Sequence, residues 1–141
     1  MGLVDRLRSA FRTGNLNSTQ ILQSFRARQQ ELQQKFLRLA EQSGKPRGLR
    51  WAGCDWLPSL ALVHDSESGL LTLFQGVNLS FEAVEGGDME DVEAVSIVRD
   101  GSAVFHRRDG RWGSGGRVLF NMDPQTAAQV AAAGQTLLAV E

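Results

Sequence analysis

The spacing of apolar residues changes from a helical to an alternating period near residue 49, which divides the chain into two kinds of structure. Leu3, Val4, Leu7 and Phe11 recur at helical spacing and predict a short helix over 3–13, with Gly14 where a C′ glycine belongs. Asn17 followed by Gln20 has the form of a capping pair for a second helix reaching about Gln42. Its apolar stripe is Ile21, Leu22 and Phe25, then Leu32, Phe36, Leu39 and Ala40. Arg26 to Gln30 interrupt the stripe and put Arg28 at a seam position, which argues against a long coiled coil. Glu31 and Lys35 form an i,i+4 pair on the wet face. The run Gly44-Lys-Pro-Arg-Gly48 ends the helix.

Beyond it, Leu60, Leu62 and His64 alternate with Ala61 and Val63, and Asp65-Ser-Glu-Ser-Gly69 is turn chemistry. The strongest strand pattern is 70–82. Leu71, Leu73, Val77, Leu79 and Phe81 are expected in the core, Asn78 and Ser80 outside, with a bulge or bend at Gly76. A Gly-rich acidic loop over 83–92 precedes strands at 93–99, 102–107 and 117–121. Asp100-Gly101 and Asp109-Gly110 are expected to be turns, the usual hairpin signal between alternating segments. The triplet Arg-Asp-Gly at 99–101 and 108–110 is read as turn chemistry in both places. Asp123 as N-cap and Pro124 at N1 open a last helix expected over 123–140, striped by Ala127, Val130, Ala131, Gly134, Leu137 and Leu138. A glycine on that stripe predicts close packing at Gly134.

These elements predict an α+β fold. A basic helical arm (1–46) precedes an antiparallel five- or six-stranded meander (47–141), a curved sheet or partial barrel, with a C-terminal helix packed on the sheet. A meander closed by one helix resembles pleckstrin-homology-like barrels, and a helix laid over a curved sheet resembles cystatin-like folds. Either likeness is one of architecture and carries no activity.

Composition changes this picture in two respects. The 141 residues suit a single domain, and 42% hydrophobic with 22% charged residues is ordinary globular usage. One cysteine, Cys54, allows no internal disulfide and suggests a reducing, cytoplasmic setting. No apolar run approaches the ~20 residues that a membrane span needs. The first residues lack the apolar region of a signal peptide, and Arg6 breaks the myristoylation pattern. The net charge of −1 conceals an asymmetry. Residues 1–50 hold ten basic and three acidic residues, a net of +7, and the remainder holds five arginines and 13 acids, a net of −8. Such halves attract one another within a chain or between chains.

Candidate chemistry is sparse. Cys54, His64 and His106, with Asp55, are the one set from which a nucleophile and base could be drawn, and nothing in their spacing forces them together. One Cys and two His are too few for a metal site, and the acidic loop from Glu82 to Glu93 lacks the EF-hand pattern, so no catalytic residue, metal or cofactor is expected. Gly113-Ser-Gly-Gly116 lacks the Lys-Ser/Thr ending of a phosphate loop and precedes a strand, not a helix. Trp51, Trp56 and Trp112 are expected to cap the sheet core. The basic arm carries no nucleic-acid motif, and its amphipathic helix is short for a membrane surface. Between Pro124 and Val140 no residue is charged, and loss of charge marks the centre of protein interfaces. The leading expectation is therefore a non-enzymatic binding or assembly module acting as a homodimer. Ala128, Ala132, Gly134, Gln135 and Val140 are its candidate interface, and a further protein partner is open to it. The alternatives are a small-ligand carrier or enzyme with a pocket in the curved sheet, and a peripheral membrane or nucleic-acid adaptor using the arm.

Overall fold

A computed structural model of the chain describes residues 17–84 and 97–141. The helix expected at 3–13 and most of the acidic loop lie outside them. Helix α1 (Ser18–Gln42) starts where its cap requires. Gln20 N–H donates to Asn17 Oδ1 at 2.8 Å, and Asn17 N–H donates back to Gln20 Oε1 at 3.2 Å. Ile21, Leu22, Phe25, Leu32, Phe36 and Ala40 are buried, and Arg28 turns outward to Glu31 at 3.0 Å. Glu31 thus takes an i,i+3 partner, and Lys35 acts on it only through its field.

Six strands follow among the described residues, in one antiparallel sheet: β1 (Leu49–His64), β2 (Leu71–Ala83), β3 (Ile97–Arg108), β4 (Arg111–Gly113), β5 (Val118–Phe120) and β6 (Thr136–Val140). Helix α2 (Pro124–Ala131) lies between the last two. The order is β4-β3-β2-β1-β6, with β5 also on β3, and the sheet does not close. Its faces are covered separately. Alpha-helix α1 packs on Leu60, Leu62, Leu71, Leu73 and Phe105. Helix α2 lays Ala127 and Ala128 on Ala61, Val63, Phe74 and Val104 of the other face, and Ala132 just beyond it joins them. Phe36 anchors the first layer, its ring centroid 5.3 Å from Trp56 and 5.9 Å from Phe105. Truncating such a ring to Ala costs about 3–5 kcal/mol. Among the described residues no helix is long and apolar enough to cross a membrane.

The inner row of β2 is as expected, with Leu71, Leu73, Val77, Leu79 and Phe81 buried, but the other row is not outside: Asn78 and Ser80 are half-buried, and Thr72 and Phe74 are buried, Phe74 beneath α2. The irregularity near Gly76 lies in the neighbouring strand. Trp56 pairs with Val77 and Leu60 with Gln75, so Leu57, Pro58 and Ser59 bulge opposite Gly76 while β2 stays in register with β3. Gln75 seals the bulge by donating to Leu57 O at 3.1 Å, and a Cβ at position 76 would strike the Ser59 hydroxyl.

Three expectations are overturned. Asp100-Gly101 is not a turn: β3 runs through it, with Asp100 opposite Asn78 and Gly101 opposite Val77. The glycine admits β5, since a Cβ there would come 2.8 Å from Leu119 O. The helix expected over 123–140 also stops early. Asp123 caps it at Thr126 N–H (2.7 Å), but Gly134 takes φ +86° and the chain turns into β6. Gly134 is exposed, with open space where its Cβ would be, so close packing there is ruled out. Asp109-Gly110 is the turn expected, both residues at positive φ.

Candidate functional site

The three candidates for nucleophilic chemistry are not brought together. Cys54 faces Leu79 across β1–β2, whereas His64 faces Leu71. Eight residues of strand separate those rows, roughly 25 Å. Burial pushes the Cys54 thiol up to about 12, helped by the charges of Asp55 and Glu41, which is the reverse of an activated thiolate. His64 and His106 sit at one end of the sheet but two strands apart: Leu71 pairs with His64 on one side and Arg107 on the other, and His106 is the next residue along. Alternation therefore sends their side chains to opposite faces. His64 Nε2 is buried without a hydrogen-bond partner among the described residues. His106 Nδ1 lies 3.2 Å from Thr72 Oγ1, and burial, with Arg117 and Arg108 nearby, lowers its pKa from the usual histidine value. Among the described residues no group of three or more Cys, His, Asp or Glu could hold a metal ion. The indoles of Trp51 and Trp112 donate to Lys45 O and Ser24 Oγ, both at 2.9 Å, and so serve the core.

The feature with no structural employment is the C-terminal edge. Ala127 and Ala128 of α2 and Ala132 just beyond it face inward, so Ala128 and Ala132 are 6% and 4% exposed and belong to the chain's own core. Gln135 N–H donates to Ala132 O at 3.0 Å as the chain reverses, and β6 then pairs with Ala61–His64 of β1. Leu60 and Glu141 exchange backbone hydrogen bonds at 2.9 Å, and the Glu141 side chain is ion-paired with Arg26 of α1. On the other side of β6 no strand pairs with it among the described residues. Its exposed apolar groups are Leu137 and Val140, and Val130 on the last turn of α2 is exposed as well. Between α2 and β6 lies a cleft of about 220 Å³ lined by Val63, Gln129, Ala133, Gln135 and Leu137. Gln135 Oε1 is buried without a hydrogen-bond partner among the described residues. Of the residues expected at an interface, Gly134 and Val140 reach the surface, Gln135 does so in part, and Ala128 and Ala132 do not. Its spacing alone puts Leu137 on the helical stripe. The signal for its true setting was the short run Thr136-Leu-Leu-Ala-Val140 after a glycine, which periodicity alone reads as helix or strand. In comparison with known proteins, no family model, no curated protein and no solved structure matches this chain.

Proposed function

We propose that the chain is a non-enzymatic assembly module that acts as a homodimer in the cytoplasm, two copies joining edge to edge along β6. The observation that carries this reading is an open backbone edge set in a charge-free apolar flank. Edge strands are normally blunted by lysine, proline or a covering element, because their free N–H and C=O groups recruit other strands. Thr136–Val140 contains neither residue, and its one irregularity is the register break at Leu138 against β1. Of the five large hydrophobic residues exposed among the described ones, three (Val130 on α2, Leu137 and Val140 on β6) fall in the uncharged stretch 124–140. A second copy fits it. Antiparallel pairing about a two-fold axis at Leu138 sets Thr136 against Val140 and Leu137 against Ala139, and the same patch serves both partners. No like charges meet within the paired strands, and the acid at their end, Glu141, already has Arg26. The lone Cys54 agrees with a reducing compartment.

Sedimentation of the wild-type chain and of Leu137→Glu/Val140→Glu tests the reading. Both side chains are exposed in one copy, so the variant should keep its circular dichroism. Each charge appears twice in a two-fold interface, so a micromolar dimer should become a monomer over the same range. A wild-type chain that is monomeric at tens of micromolar overturns the proposal.

A further inference from the structure

The edge of the sheet away from β6 has the opposite character. All five basic residues beyond residue 51 (Arg99, Arg107, Arg108, Arg111 and Arg117) lie on β3, on β4 or between β4 and β5. Two of them stand at directly opposed backbone positions. Asp109 (φ 52°) and Gly110 (φ 77°) form the two-residue turn between β3 and β4, and the register sets Arg108 directly opposite Arg111. Like charges at opposed positions on a ladder are unfavourable. Both arginines are exposed, and neither has an ion-pair partner among the described residues. A cleft of about 540 Å³ opens beside them, lined by His106, Arg108, Asp109, Arg111, Trp112 and Gly113. Gly113, opposite His106, leaves room, because a Cβ there would meet nothing within 4 Å. Trp112 fixes the base of the hairpin, buried and hydrogen-bonded to Ser24 of α1. Arg117 is near enough to act on the charge of His106. The one acid of the wall, Asp109, leaves the cleft net positive.

A sequence serving only the hairpin would favour an opposite charge across from Arg108. An anion between the two guanidinium groups turns the repulsion into a clamp, since paired N–H forks match the oxygens of phosphate. We propose that the β3–β4 hairpin is a phosphate-binding site, in which Arg108 and Arg111 grip one phosphate group beside His106. A small phosphate ester and the backbone of a nucleic acid present the same oxyanion. The proposal is independent of the dimer, whose strand lies at the other end of the sheet.

The test is a titration with inorganic phosphate at constant ionic strength, followed through the Nε–H resonances of Arg108 and Arg111 and the ring of His106. Saturable shifts of all three are expected. Arg108→Gln and Arg111→Gln should each weaken binding about tenfold or more, as loss of a charge-assisted hydrogen bond implies. Without phosphate, Arg108→Gln should be as stable as the wild type or more so, because the repulsion is gone. A short single-stranded oligonucleotide identifies the source: displacement of phosphate favours a polymer, and no displacement favours a small ester. Absence of any saturable response to either probe, or a response that survives the double substitution, overturns the site.

Discussion

At Cys54 the chain has a thiol without an activating partner. Burial and two nearby acids raise it to about 12. Far less of it is ionised at pH 8 than of a free thiol near 8.5, and the higher intrinsic nucleophilicity of the rarer thiolate recovers only part of the loss. Iodoacetamide should therefore alkylate Cys54 on the order of a hundredfold more slowly than a free cysteine at pH 8. A rate equal to the free thiol would show that the group is ionised and reopen a nucleophilic role. The residue type and its neighbour Asp55 were visible in the sequence, but the burial and the approach of Glu41 were not, because they arise only once α1 lies along β1. Glycines show the same division. Gly110 is legible from its Asp-Gly dipeptide, since a two-residue hairpin turn demands positive φ and the demand is local. The identical dipeptide at Asp100-Gly101 answers a different need, the approach of Leu119 from another strand.

The last two elements show how a pattern can be correct and its assignment wrong. The stripe from Ala127 to Leu138 fits a helix without a gap, yet only Pro124–Ala131 is helical. The edge of β1 at Ala61–His64 offers unpaired backbone groups to Thr136–Val140, and Gly134 permits the reversal that reaches them. Gly134→Ala separates the two assignments. In a helix interior it would stabilise the fold by about 1 kcal/mol. At φ +86° in open space the added Cβ meets backbone strain instead, and the expected change is a loss of about 1 kcal/mol, read as a lower midpoint in urea. A rise in the midpoint would restore the long helix. Helix α1 was legible almost residue by residue, because its capping pair and buried stripe are both local in sequence. The bulge at Leu57–Ser59 was not, since it exists only against Gly76 of the next strand.

On the scale of the molecule, α1 lies on the sheet of its own chain, and besides the Arg50–Glu82 pair within the sheet the opposite charges of the two halves meet in the pair Arg26 and Glu141. Both side chains are about half exposed, so the pair contributes little, and the docking energy resides in Ile21, Phe25, Leu32 and Phe36. What remains unequal is the pair of sheet edges, one free of charge and the other rich in arginine. If copies join along β6, association is coupled to folding, and the thermal midpoint must climb with protein concentration. Calorimetry of the wild type across a hundredfold range of concentration should show that climb, and Leu137→Glu/Val140→Glu should abolish it. A midpoint independent of concentration in the wild type would mean that the edge stays open in solution.

By itself the sequence determined the α+β class, the extent of α1, the buried row of β2 and the turn at Asp109-Gly110. Each depends on neighbours within a few residues, through caps, periodicity or the φ demanded by a tight turn. Only the tertiary structure decided that Asp100-Gly101 belongs inside a strand, that Thr136–Val140 is a strand, and that Cys54 stands far from either histidine. Those outcomes depend on which backbone edge is left unpaired and which side chain approaches from another strand. Such quantities are set by partners distant in the chain, and no local pattern encodes them.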